Sequence, residues 1–295
     1  MDFISVKEYA ERYSMSERTV RNQCAQGKIL GAVLVGKTWM IPASFSPDQV
    51  VKSKGRPSAL LKALQEQMSM KMKGGIYHRT QIDLTYNSNH IEGSKLTHEQ
   101  TRSIFETHTV GMSDGTVRVD DIMETVNHFR CVDMIITHAQ DALTEQFIKE
   151  LHATLKSGTS DSTKDWFKVG DYKLLPNEVG GMETCSPEEV SHEMKSLLKA
   201  YHSKKKRSFD DLLDFHKKFE TIHPFQDGNG RVGRLILFKE CLCNHIVPFI
   251  ITEELRYFYY RGLQNWPQTP GYLRDTCLTA QDQFKELMRY FRIEE

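Results

Sequence analysis

From Ala59 to the C-terminus the apolar residues of this chain recur every three or four positions, segment after segment, and that periodicity leaves room for little except packed helices. ALLKALQEQMSMKM, IYHRTQIDLTYNSNHIEG, THEQTRSIFETH, VDDIMETVNHFRCVDMIITHAQ and TEQFIKELHATLKSG each carry it, and PEEVSHEMKSLLKAYH resumes it with Ser186 as a cap ahead of Pro187. Strand signals are nearly absent. The exception is VGDYKLLPNEVGGMETC, residues 169–185, where short extended pieces flank Pro176-Asn177 and end in Gly180-Gly181, which predicts an irregular hairpin. The expected fold class is therefore mainly α with one small β-hairpin. The run KKKR at 204–207 reads as a solvated loop between helices.

Residues 1–43 read as a separate domain. ISVKEYAERY has helical spacing, Ser16 caps a second helix that stops at Gly27, and ILGAVLVGKTWMIP alternates around Gly36-Lys37 as a hairpin would, with Trp39 on one strand. Two helices across a tight turn followed by a hairpin make a winged helix-turn-helix pattern. It resembles the small winged domains of the excisionase and MerR type, in which the second helix enters the DNA major groove. That resemblance makes Arg18, Arg21 and Gln23 on the second helix, and Lys37 at the hairpin tip, candidate DNA contacts. Six basic residues stand against four acidic ones in this domain, a small excess, so a solvated face in a protein-docking module remains open beside DNA binding. Residues 44–58 mix Ser, Pro, Gly and charge without periodicity and read as a linker, leaving 59–295 as the second domain.

Lysine plus arginine equals aspartate plus glutamate over the 295 residues. No apolar run approaches the roughly 18 residues that a membrane span requires, and MDFISVKEY lacks the basic and apolar regions of a signal peptide. A cytoplasmic location is expected, with no membrane partner and room for a homo-oligomer. Six scattered cysteines show no disulfide framework, and CLCNH at 241–245 lies in an apolar helical stretch without a second ligand pair.

The densest chemistry is TIHPFQDGNGRVGRLILF, residues 221–238. His223 ends an amphipathic helix, a second helix that is largely apolar over LILFKECLCNHI begins near Gly230, and the loop between them is rich in glycine. Such a loop lets a ligand approach the backbone, and the amides opening the second helix favour a phosphate. Arg231 and Arg234, three apart, add guanidinium donors. Asp227 would repel a bare phosphate, a conflict that Mg²⁺ shared between the carboxylate and substrate phosphates resolves. His223 is then free to act as a base toward an attacking hydroxyl. Phe225 reads as the anchor of the loop in the core. A transition-metal site of His216, His223, Asp214 and Asp227 is disfavoured, because two histidines seven apart on a helix are about 10 Å apart along its axis; His216 reads as a packed residue.

HPFQDGNGRVGR, residues 223–234, fits the Fic motif HPFx(D/E)GNGRxxR at every defined position, so the chain resembles Fic-domain proteins from about 59 to about 265. The resemblance implies a helical Fic fold and transfer of AMP from ATP to a hydroxyl side chain of a protein target, Ser, Thr or Tyr, the chain itself included. By the same resemblance His223 is the general base and Asp227 the Mg²⁺ ligand. Gly228, Asn229 and Gly230 form the anion nest, and Arg231 and Arg234 meet the polyphosphate. VGGMET resembles the Fic flap, which aligns a target segment by strand addition and makes Val179, Gly180, Gly181 and Met182 neighbours of ATP. Tyr259 takes the place of a residue near adenine, with a core role as the alternative. SNHIEG, residues 88–93, fits the inhibitory pattern (S/T)xxxE(G/N) on a helix around 77–93, in which Ser88 belongs to the pattern and Glu92 pairs with Arg234 in place of the ATP γ-phosphate. Some relatives also use this glutamate to remove AMP. The reading is thus a self-inhibited protein adenylyltransferase, with a DNA-binding regulator whose Fic domain senses nucleotide or self-modification as the alternative.

Overall fold

The computed structural model describes residues 3–13, 15–25, 29, 31–36, 38–43, 45, 57–111 and 116–294, with only the backbone of Met182. Lys37, the helix stop at Gly27 and most of the 44–58 segment lie outside the described residues. The chain divides into two compact units, one of residues 1–55 with a short stretch at 140–142, the other of 56–139 and 143–295.

In the N-terminal unit strand β1 (Phe3–Ser5) leads into helix α1 (Val6–Arg12), capped by the Ser5 hydroxyl, and helix α2 (Glu17–Ala25) follows. Strands β2 (Val33–Val35) and β3 (Thr38–Pro42) form the expected hairpin, and β1 adds to the other edge of β3, giving the antiparallel order β1-β3-β2. Three residues before a helix carry too little alternation for β1 to be read from sequence. Tyr9, Val20, Cys24 and Ile41 close the core of this unit. Arg18 and Arg21 stand exposed on α2, Arg21 paired with Glu17 at 2.7 Å, whereas Gln23 is half-buried with its Oε1 turned inward.

The second unit is helical: α3 (Ala59–Ser69), α4 (Ile76–Ile91), α5 (His98–Thr107), α6 (Val119–Thr137) and α7 (Glu145–Lys156) precede the short hairpin of β4 (Glu178–Val179) and β5 (Met182–Glu183). Then come α8 (Pro187–Ser203), α9 (Phe209–Ile222), α10 (Asn229–Cys243), α11 (Arg256–Asn265) and α12 (Pro270–Tyr290). Helix α10 is buried on nearly every side, its apolar residues in the core and its charged ones, Arg231, Arg234, Lys239 and Glu240, held in buried ion pairs. Packing against α4, α6, α7 and α9 fixes its first turn, and so the glycine loop, at the centre of the unit. The cysteines are free and, apart from the half-buried Cys185, buried. Among the described residues no helix is long and apolar enough to cross a membrane.

Candidate active site

The loop between α9 and α10 is held by its own side chains. Asn229 returns both amide atoms to Phe225, accepting from its N–H and donating to its carbonyl at 2.8 Å each, while Phe225 stacks flat on His152 at 4.0 Å. His152 accepts from the Gly170 N–H through Nδ1, which leaves Nε2–H to donate to the Asp227 carbonyl at 3.2 Å. Gly228 adopts a left-handed φ of 81° at the start of α10, a conformation that only glycine takes without strain. Asn229 is thus spent on the loop itself, and any anion contact from it must come from its backbone.

His223 closes α9 in the left-handed region, with φ 51°. Its Nδ1 faces the Glu220 carbonyl at 3.4 Å, which assigns the proton to Nδ1 and leaves the Nε2 lone pair without a protein partner among the described residues. Burial chiefly, with the Lys173 ammonium adding to it, lowers the pKa of His223 to about 4 against the opposing pull of Glu92 and Asp227. The imidazole is therefore neutral at physiological pH and able to accept a proton.

Arg234 lies under the loop, 6% exposed. Its Nη2 donates to Oε1 of Glu92 at 2.7 Å and to the Ser88 carbonyl at 2.9 Å, and its Nε donates to the Ser88 hydroxyl at 3.1 Å. Glu92 follows the last residue of α4, so one turn of helix delivers both Ser88 and Glu92 to a single guanidinium. Its carboxylate lies over the first turn of α10: a Cβ built on Gly230 would collide with Glu92 Oε1, so the glycine is what admits the carboxylate to the start of that helix.

Arg231 departs from expectation. Rather than facing an open cleft it is buried and donates to Glu124 on α6 and to Oδ2 of Asp227 at 3.2 Å. Buried Lys156 donates to the same two carboxylates, at 2.6 Å each, and to Asp161. Burial would raise the Asp227 pKa, but Arg231 and Lys156 hold it well below the ordinary carboxylate range. Glu124, Lys156 and His152 escaped sequence reading because they come from α6 and α7, 71 to 107 residues from their partners in the motif. Among the described residues no group of three His, Cys, Asp or Glu could hold a metal. The half-exposed Asp227 side chain suits the other arrangement, one carboxylate completing a magnesium shell of phosphates and waters.

Of the two roles open to Tyr259, the core one fits its position. It is 1% exposed, its hydroxyl shared with His216 Nε2 at 2.6 Å, and it belongs to the core. Its neighbour Tyr260 is the one influenced by Glu92: burial first, then the Glu92 carboxylate, raises its pKa to about 12. Val179, Gly180 and Gly181 lie exposed at the turn of β4 and β5, with Met182 starting the return strand. The hairpin is moored to the loop by Asn177, whose Nδ2 donates to the Phe225 carbonyl at 3.0 Å.

Residues 142–240 match the family model for the Fic/DOC family. That stretch is a Fic domain. Over 186 residues it is 28% identical to the protein adenylyltransferase Fic of Aedes aegypti, and over 182 residues 26% identical to protein adenylyltransferase fic-1 of Caenorhabditis elegans. These matches cover 62% and 60% of this chain but 36% and 35% of the relatives, so it spans about a third of the length of the relatives it matches. A Fic-domain-containing signalling protein of Bacteroides thetaiotaomicron superposes with a TM-score of 0.60 at 27% identity, covering 79% of this chain and 94% of that one. The C. elegans Fic-1 structure shares the fold at 18% identity, with a TM-score of 0.59 over 79% of this chain and 72% of that one.

The buried imidazoles of the helical unit carry a prediction for stability. His128, His152 and His216, all deeply buried, have pKa values lowered to about 3, chiefly by burial, while an unfolded imidazole titrates near 6.5. Between these values the unfolded chain binds protons that the folded one does not, so stability falls as pH falls below about 6.5. Glu220, whose pKa burial raises to about 7, works the other way with a single group. The melting temperature is expected to drop by roughly 10 °C between pH 7 and pH 5, read by circular dichroism.

Proposed function

We propose that the chain is a self-inhibited protein adenylyltransferase. The observation that carries this reading is the Glu92–Arg234 contact above Gly230: a carboxylate on the anion nest, beside a neutral His223 with a free Nε2. The acceptor hydroxyl attacks the α-phosphorus of ATP, its proton passes to His223 Nε2, and the bond to the bridging oxygen breaks as pyrophosphate leaves. The α10 amides and Arg234 bind the phosphates once Glu92 has withdrawn. Asp227 would hold Mg²⁺, which would neutralise charge on the departing pyrophosphate. While Glu92 holds Arg234, the place of the γ-phosphate is taken and the α-phosphate is misaligned for attack. The same carboxylate could activate water for the reverse removal of AMP. The target is a protein presenting Ser, Thr or Tyr, this chain included, and the flap would take its acceptor segment as an added strand. Incubation with α-labelled and, separately, γ-labelled ATP tests the reaction class. Covalent label on protein from the α-phosphate alone is expected, and label from the γ-phosphate would indicate a phosphoryl transferase instead.

A second role rests on the exposed Arg18 and Arg21 of α2, which in a winged helix-turn-helix domain would face DNA. Replacing both by alanine is expected to abolish specific operator binding and to flatten its salt dependence. A mobility-shift titration across salt checks this, and absence of salt-dependent binding by the wild type would remove the role.

A further inference from the structure

Two lysines lie buried beside the site and are held in opposite ways. Lys156 meets three carboxylates. Lys173, 2% exposed, meets none: its ammonium donates to Oδ1 of Asn177 at 2.7 Å, to the Thr184 hydroxyl at 2.6 Å and to the Ile222 carbonyl at 3.4 Å. An ammonium moved from water onto neutral oxygens is expensive, and burial pulls the pKa of this one below its ordinary value. A tether alone would not require the charge, since a neutral amide can bridge similar acceptors. The acceptors themselves suggest what the charge is for. Asn177 and Thr184 bracket the β4–β5 hairpin, Ile222 immediately precedes His223, and the Lys173 backbone N–H donates to the carbonyl of Pro224, immediately after it, at 2.9 Å.

We propose that Lys173 is a positioning residue of the site, tying both ends of the flap hairpin to the segment that carries His223 and setting a fixed positive charge near the imidazole. This rests on the transferase reading and adds a residue that the Fic motif does not contain. The left-handed backbone of His223 is held from both sides by the two Lys173 contacts. The same contacts join the strand that would align the acceptor to the base that would deprotonate it, so the two cannot drift apart. The charge answers a problem created by the substrate. A triphosphate brought beside an imidazole favours its protonation, which would leave no proton acceptor. Of the groups facing His223, Glu92 after α4 and Asp227 in the loop also favour the imidazolium, the Glu220 carbonyl of α9 accepts from Nδ1, and Lys173 opposes protonation.

The test compares Lys173→Gln and Lys173→Arg in the Glu92→Gly protein, reading the titration of His223 by nitrogen-15 NMR together with kcat and KM. Relative to the Glu92→Gly parent, the glutamine variant is expected to move the His223 midpoint up by roughly half a unit to one unit and to lower kcat about tenfold, with KM for ATP within about twofold. Arginine should restore both. A double variant, Asn177→Ala with Thr184→Val, keeps the charge and cuts the flap contacts; it should lose kcat without moving the midpoint, and it carries the test if the glutamine variant does not fold. An unshifted midpoint in the glutamine variant, or unchanged kcat in the double variant, overturns the proposal. The midpoint is read whether or not AMP is transferred, so failure of the transferase reading is seen separately.

Discussion

Glu92→Gly is expected to raise the initial rate of AMP transfer by about 10- to 150-fold. Arg234 and Glu92 are joined by a charge-assisted hydrogen bond of 2.7 Å, with the guanidinium almost wholly buried and the carboxylate 29% exposed. Contacts of this kind contribute on the order of 1.5–3 kcal/mol, which ATP must offset before its terminal phosphate can reach Arg234. Glycine removes the carboxylate but not the helix that presented it, because α4 ends one residue earlier and Ser88 still holds Arg234 by two bonds. Initial rates with a fixed acceptor check this, and a melting curve checks that the fold is intact. An unchanged rate would mean that the contact exerts no control.

His223→Ala in the Glu92→Gly background should lower the rate by about 10²- to 10⁴-fold, the usual contribution of a positioned base. ATP affinity, measured by calorimetry, should stay near that of the parent, because the phosphates are bound by the α10 amides and Arg234. The sign of the pH dependence follows from the lowered pKa. The base works when neutral, so with a midpoint at about 4 in the free protein kcat/KM should be level from pH 8 to about pH 5 and fall only below that. An ordinary histidine would lose activity already near pH 6.5.

Much of this was legible because the motif is local. Periodicity marked α9 and α10, the glycines marked the turn between them, and the spacing of Ser88 and Glu92 on one helix face was visible in SNHIEG. What was not legible depends on tertiary approach. Arg231 looks like a phosphate ligand from its place three residues before Arg234, yet Glu124 on α6 and Asp227 claim it. Asn229 looks like part of the anion nest, but its side chain is consumed by Phe225. Between Tyr259 and Tyr260, one residue of helix rotation decides which faces His216 in the core and which lies near Glu92, and an apolar pattern interrupted by polar residues does not fix that angle. Lys173 carries no signal at all, since a lone lysine between Tyr172 and Leu174 reads as an exposed strand residue.

Incorporation of label from α-labelled ATP with Mg²⁺, compared side by side in the wild type, Glu92→Gly and Glu92→Gly with His223→Ala, tests most directly whether Glu92 restrains an AMP transferase built on His223. Weak labelling in the first, strong labelling in the second and none in the third is the predicted result. Equal labelling of the first two, or labelling that survives loss of His223, would contradict it.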